Sequence, residues 1–434
     1  MPRRNLFWLI AVSVVSLVCY QKVQNNRYGR VLVEAMGQVE RRYVQPVEAE
    51  KLFAGAMEGM MRSLDDPYSS YMVPEREKEL NESLDQEFGG VGMEVTMDPQ
   101  TKQLTVIAPM AGTPAYRADI RAGDRVLRID ERSTQGMSLE DAVRRMRGKK
   151  GEPVALTVLH EGEQKPVEIR LVREIIHVDS VTGDRRNPDG TWNFFLEGPE
   201  RIGYVRINTF AKETIGEVKR AVGWLVDHDM RGLVLDLRGN TGGLLGAAVG
   251  VCDQFIDSGV IVTIRGRDQK ETRPPYEADG KGAFTNFPLA VLVDRGTASA
   301  SEIVAACLQD QKRAVIVGER TYGKGTVQEV IDLPDELGAL KLTTATYWRP
   351  SGKDINKPKD AGPTGEWGVQ PDKGYEVKVE PEELVRLRMQ RLNRELHKRS
   401  GNGAEPPPQG AEPAVDRQLA KAVEYLQAKL AKKT

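Results

Sequence analysis

Three short segments of this chain carry residue types suited to acyl transfer. In GTASASEIVAACLQD a Ser/Ala stretch follows a Gly turn and opens a helical pattern, so Ser299 and Ser301 both stand near a helix N-terminus. Backbone N–H groups there lack intrahelical acceptors, and the local field favours negative charge, which suits a serine whose attack generates an oxyanion. The same residues are ordinary helix caps, and the segment alone separates neither the two roles nor the two serines. In RTYGKGTVQ, Lys324 stands between two glycines after the apolar run AVIVGE. Burial can lower a lysine from ~10.4 towards neutrality and make it a base. Gln328, four residues on, is spaced to hydrogen-bond the amine. A surface-loop lysine has the same local appearance. In LVLDLRGNTGGLL an apolar strand runs into Gly242 and Gly243 before a helix, a turn whose exposed N–H groups are natural oxyanion donors. Neither GxxxxGK[ST] nor GxGxxG is present there, which disfavours a phosphate-binding loop and leaves a structural turn as the alternative.

Those segments need a scaffold. Across 176–380, the strand-like runs IGYVRI, GLVLDLRG, LAVLVDRG and AVIVGER alternate with the helical runs ETIGEVKRAVGWLVDH, LLGAAVGVCDQFI and SEIVAACLQDQ, and KLTTATYWRP adds another strand. Apolar, β-branched strands between helices predict an α/β core with a largely parallel sheet covered on both faces. The block 86–175 is strand-rich (FGGVGMEVTM, LTVIAPM, DRVLRID, VALTVLH) with one helical run, EDAVRRMRG. Residues 25–85 begin with short amphipathic helices and pass through the turn-rich DDPYSSYMVP. In the tail, 381–434, the stretch GNGAEPPPQGAEPA (401–414) reads as a flexible linker. The closing helix puts Leu419, Val423, Leu426 and Leu430 on one face. That stripe suits either a homo-oligomer contact or a helix folded back on its own domain.

Net charge is near zero, with 62 basic against 63 acidic side chains, so no nucleic-acid footprint is expected. Cys19, Cys252 and Cys307 are too few for a disulfide framework, and the latter two lie in apolar runs expected to bury free thiols. Cys and His never cluster at metal-ligand spacing, so no metal and no cofactor is expected. The N-terminus departs from this soluble profile. Arg3 and Arg4 precede a 15-residue apolar run, Leu6–Tyr20, followed by polar QKVQNNR. That order describes an export signal. The run spans ~22 Å against a ~30 Å hydrocarbon core, and snorkelling Arg4 and Lys22 would cover the difference. Residues 1–24 are read as a single-pass membrane anchor, with everything after them on the exported, periplasmic or extracytoplasmic side. A cleaved signal peptide is the alternative.

Taken together, the motifs resemble the carboxy-terminal processing (tail-specific) peptidases. The resemblance runs from Val33 to about Asp372 through YVQPVEAEKLFAGAMEGMMRSLDDPYSSYM, FGGVGMEV, AGDRVLRID, LVLDLRGNTGGLL, GTASASEIVAACLQD, ERTYGKGTVQ, KLTTATYWRPSG and GVQPD, in family order. In that family a serine lies 25 residues before the lysine and the lysine four before a glutamine, a spacing that Ser299, Lys324 and Gln328 meet and Ser301 does not. The resemblance implies Ser299 as nucleophile, Lys324 as general base and Gln328 as its orienting partner. It implies an oxyanion site from the N–H of Ala300 with that of Gly242 or Gly243, and a crotonase-like catalytic fold. FGGVGMEV with AGTPAYRADIRAGDRVLRID looks like an inserted PDZ domain, with Gly89, Gly90, Val91 and Gly92 as candidate carboxylate loop. Arg147 resembles an arginine the family uses near bound peptide, and equally fits a solvated helix end. The implied substrates are proteins or peptides with exposed C-termini.

Other readings are weaker. GNTGG is similar to the GNSGG of trypsin-like peptidases, but Thr241 fills the nucleophile position. His160, His177, His228 and His397 all lie outside a catalytic context, and S-x-x-K is absent. A catalytically dead PDZ scaffold is opposed by the intact Ser–Lys–Gln spacing. Another enzyme on a crotonase-like core is opposed by the PDZ-like insert and the missing coenzyme signature. The segment after SGKDI, NKPKDAGPTGEWGVQPD, which takes up most of 354–370, is longer and more polar than the short Gly-rich turn expected of the family, which points to an altered substrate groove or oligomer contact. A lysine base predicts a rate that rises as Lys324 loses its proton.

Overall fold

The β-branched, turn-punctuated block forms its strands in a computed structural model that describes residues 27–98, 101–187, 191–282, 284–362, 365–395 and 415–432. The anchor expected at 1–24 and the linker expected at 401–414 lie outside the described residues. FGGVGMEVTM, read as one strand, forms two: β1 (Glu87–Gly90) and β2 (Met93–Met97). Gly92 between them takes φ +73, a conformation that breaks the ladder and that a side chain rarely adopts. There follow β3 (Leu104–Pro109), β4 (Arg125–Ile129), helix α1 (Leu139–Met146), β5 (Pro153–Leu159), β6 (Val167–Val172) and β7 (Glu174–His177). Ser138 caps α1 by accepting the Asp141 N–H at 3.1 Å. The strands form a sheet in the order β2-β3-β4-β5-β6, with β1 pairing separately with β7. Its core packs Leu104, Val106, Val126, Leu156 and Val158 against Ala142 and Met146 of α1.

The α/β block forms the predicted parallel sheet. Strands β8 (Ile202–Ile207), β9 (Gly232–Asp236), β10 (Leu289–Val293) and β11 (Val315–Gly318) lie side by side and parallel, with the short strand Val181–Thr182 antiparallel on the edge. Every residue of β9 and β10 is buried, as an inner strand covered on both faces requires. Between the strands run α2 (Thr214–Asp227), α3 (Leu245–Phe255) and α4 (Ala300–Asp310). They bring Val222, Leu225, Val251, Phe255, Ile303 and Val304 onto one face of the sheet. Cys252 of α3 and Cys307 of α4 are free, buried thiols in that layer.

The other face carries the tail. After α5 (Pro381–Glu395), the closing helix α6 (Arg417–Ala431) lays Ala422 and Leu426 against Tyr204, Val234 and Leu292. Of the two roles open to its apolar stripe, the structure shows the fold-back onto its own sheet. Asp416 caps α6 through the Leu419 N–H at 2.9 Å. The same carboxylate meets the Arg238 guanidinium at 2.9 Å, and Arg238 also holds buried Asp236 at 2.7 Å.

The chain divides into two compact units, and all the elements above belong to the one formed by Lys78–Val327 with Thr344–Thr434. The other joins the described residues up to Glu77 with Gln328–Thr343. It contains the helices Arg27–Arg42 and Ala49–Arg62 and the strand Ser70–Met72, whose Tyr71 stands opposite Leu340 in an antiparallel pair. The Tyr71 hydroxyl donates to Leu337 O at 2.6 Å, and Phe53 meets its ring edge-on at 5.9 Å. Among the described residues no helix is long and apolar enough to cross a membrane.

Candidate active site

Parallel strands deliver their carboxyl ends to one side, so the segments following β9, β10 and β11 lie together. Ser299 is the N-cap of α4 at the turn after β10, with φ 57 and ψ −118. Such a backbone is strained for any residue with a β-carbon, and strain of this kind collects at reactive turns. Ser299 retains 7% exposure, whereas Ser301 is fully buried and its hydroxyl donates to Asn240 O at 3.0 Å. The two serines that the local sequence left equivalent are therefore different in kind. One is backbone-strained and keeps a sliver of exposure, and the other is a fully buried hydroxyl bonded within the turn.

The glycine turn after β9 backs directly onto this serine. A β-carbon on Gly242 would stand 2.8 Å from Ser299 Cβ and 3.0 Å from Ala300 N. The Gly242 N–H donates to Asn240 Oδ1 at 2.9 Å, and the Gly242 carbonyl accepts from Phe210 N–H at 3.0 Å. A trans peptide points its N–H opposite its carbonyl, so the Gly243 N–H faces away from Phe210. Neither the Gly243 N–H nor the Ala300 N–H has an acceptor among the described residues. Ala300 is the first residue of a helix and wholly buried, and an orphaned N–H at such a place is a donor awaiting an acceptor.

Lys324 is half-buried in the loop after β11, between Gly323 (φ +84) and Gly325. What joins this loop to Ser299 is a residue that motif reading missed. The Glu302 side chain is fully buried, and one of its oxygens accepts both the Ser299 N–H at 2.9 Å and the Lys324 N–H at 2.8 Å. The other accepts the Gly323 N–H at 2.7 Å and the Thr321 hydroxyl. Burial pushes this carboxyl up, and the four donated hydrogen bonds oppose that push. The signal was present in the sequence as Ser-x-x-Glu at 299–302, the spacing of a capping box. Asn240 was missed as well: its carbonyl accepts from Ala298 N–H and Ser301 Oγ, so it ties the glycine turn to α4. Gln328 falls in the other compact unit, where its amide donates to Thr343 Oγ1 at 3.1 Å.

A second concave site lies in the β-rich block. It encloses about 260 Å³ and is lined by Gly90, Val91 and Gly92 with Phe88, Met93, Glu94, Val95, Met110, Val143, Met146 and Arg147. Of the four candidate loop residues, Gly89 does not line it. Gly89 sits in the β1–β7 ladder opposite Ile175, where a β-carbon would stand 1.9 Å from Gly148 O. Arg147 lies 4.4 Å over the Phe88 ring and 3.3 Å from Glu82, so it is held at the rim rather than loose in solvent. β2 is the edge strand of its sheet, the arrangement by which a peptide is added as a further strand.

Residues 201–374 match Peptidase family S41, residues 82–159 the PDZ domain, and residues 20–76 the activating protease CtpB N-terminal domain. The chain is 38% identical over 411 residues to the carboxy-terminal-processing protease of Bartonella bacilliformis, with 88% of each chain covered. It is 36% identical over 324 residues to the carboxyl-terminal-processing protease of Synechocystis sp., covering 74% of this chain and 70% of that one. Among solved structures, the photosystem II D1 C-terminal processing protease is 33% identical, with a TM-score of 0.45 and coverage of 80% of this chain and 92% of that one.

Proposed function

Because this chain belongs to the carboxy-terminal-processing proteases of Peptidase family S41, serine peptidases that carry a PDZ domain, we propose that it cleaves proteins through a Ser299–Lys324 dyad. The observation that carries the reading is the shared Glu302 oxygen, which holds the Ser299 and Lys324 backbones within 2.9 Å of one atom. Neutral Lys324 takes the hydroxyl proton as Ser299 Oγ attacks the scissile carbonyl. The resulting oxyanion accepts from the Ala300 and Gly243 N–H groups, neither of which has an acceptor among the described residues. Collapse expels the amine, protonated by Lys324, and water then frees the acid by the same sequence run on the ester. Gln328 is kept as the orienting partner of Lys324 on family spacing alone. The core is read as crotonase-like on the strength of its four parallel strands. The apolar groove on β2 takes the substrate C-terminus, its carboxylate on the loop of Gly90, Val91 and Gly92. On the pattern of Arg3, Arg4 and Leu6–Tyr20, the enzyme works on the exported side of a membrane.

The test is cleavage of a loosely folded protein with an apolar C-terminus by residues 25–434. Ser299→Ala and Lys324→Ala lose activity by at least ~10³-fold, Ser301→Ala retains it, and the wild-type rate rises with pH as the lysine deprotonates. Amidation of the substrate C-terminus lowers kcat/KM by about tenfold. Full activity in Ser299→Ala sinks the nucleophile assignment, and indifference to amidation sinks the groove assignment.

A further inference from the structure

The polar segment that follows SGKDI packs directly on the loop of Lys324. Two of its short arms, 354–357 and 366–369, do the work. The Lys357 N–H donates to Gly323 O at 2.9 Å. The Val369 N–H donates to Thr321 Oγ1 at 2.8 Å, while Thr321 N–H returns a bond to Val369 O at 3.0 Å. The arms are joined to each other, since Gly368 N–H donates to Ile355 O at 2.8 Å. Contact is closest at the two glycines that flank the lysine. A β-carbon on Gly323 would stand 2.7 Å from Trp367 Cε3 and 2.8 Å from Lys357 Cβ, and one on Gly325 would stand 2.2 Å from Asn356 N. The Trp367 ring is fixed in turn by two cations, Arg320 at 4.5 Å and Lys357 at 4.7 Å from its centroid.

The loop is thus clasped from two sides. Glu302 takes Thr321, Gly323 and Lys324 from within, and the arms close on Thr321, Gly323 and Gly325 from the other side. Glycines supply the close approach, because any side chain at 323 or 325 would collide with the strap. A flexible Gly-Lys-Gly tripeptide would otherwise let the amine wander, and a catalytic group displaced by ~1 Å costs about 10²-fold in rate. We propose that the two arms, 354–357 and 366–369, form a strap that positions the general base, with Trp367 as its principal positioning residue. Trp367 touches the backbone beside Lys324 and acts on the reaction only through it. The proposal rests on Lys324 being the base.

The experiment compares wild type, Trp367→Ala, Trp367→Phe, Trp367→Leu and Lys324→Ala by steady-state kinetics on one protein substrate, with thermal melts alongside. Trp367→Ala is expected to lose at least tenfold in kcat with KM within twofold, because the groove and the nucleophile are untouched. Trp367→Phe, which keeps a flat ring on Gly323, restores most of the rate. Should Trp367→Ala fail to fold, Trp367→Leu carries the test, with a kcat at least threefold below wild type. A folded Ala or Leu variant with wild-type kcat overturns the strap, provided Lys324→Ala is dead. A loss that appears in KM alone also overturns it. An active Lys324→Ala instead removes the dyad on which the proposal stands.

Discussion

Glu302 is a fully buried acid whose carboxylate meets three backbone N–H groups and one hydroxyl. Ser299 and Lys324, the proposed nucleophile and base, are 25 residues apart in the chain, and their N–H groups share one oxygen of this side chain. Each donor left unpaired in the interior costs ~1–3 kcal/mol, so truncation would destabilise the site as well as loosen it. Glu302→Gln keeps the volume but turns one acceptor oxygen into a donor group that faces N–H groups. The expected outcome is a fall in kcat of about 10²-fold, with a lower melting temperature and KM little changed. Kinetics equal to wild type would show that the loops keep their places without it. Ser301 offers the complementary case: a hydroxyl two residues from the proposed nucleophile is engaged with Asn240 O, which ties α4 to the glycine turn.

At the scale of elements, α6 is the piece whose role only packing reveals. Its stripe could serve a partner chain or its own sheet, and it covers its own sheet, opposite the layer of α2, α3 and α4. The helix also reaches the strand that leads to the glycine turn. Asp416 at its N-cap pairs with Arg238, four residues before Gly242, and Arg238 in turn holds Asp236. Burial alone would raise the Asp236 carboxyl, and the guanidinia of Arg238 and Arg206 overturn that and hold it well below the usual carboxylate range. Leu426→Ala removes a fully buried side chain from this layer and is expected to cost ~2–5 kcal/mol in chemical denaturation, with little change in peptide binding to the β2 groove. A loss under ~1 kcal/mol would mean that the sheet closes without α6.

For the whole molecule, cutting and reading are assigned to different parts of the chain. In the proposed function, cutting falls to the carboxyl ends of a parallel sheet, and reading to a groove on an edge strand. This division suits a peptidase that selects substrates by their ends. The proposed location follows from the first two dozen residues alone, where a basic flank precedes Leu6–Tyr20. Full-length protein made in a bacterial cell is expected in the membrane fraction, resistant to a carbonate wash and with its N-terminus intact by mass spectrometry. Recovery as a soluble chain lacking the first ~20 residues would replace the anchor with a cleaved signal.

The sequence by itself determined the kind of core and the three chemical segments. Apolar, β-branched runs such as GLVL and LAVLV suit strands buried on both faces, and the glycines and serines that follow them mark where those strands end. It named Ser299 only through family spacing, since a serine opening a helix looks alike whether it caps or reacts. Tertiary structure alone decided which N–H groups are left open, that Gly89 belongs to a ladder rather than the groove, and that α6 folds back. It also showed Glu302 tying the backbones of Ser299 and Lys324 together, and the arms 354–357 and 366–369 packed on the loop of Lys324. The physical reason is one of range. Periodicity and turn chemistry act over a few residues, whereas a shared carboxylate oxygen or a ring on a glycine exists only after distant segments have met.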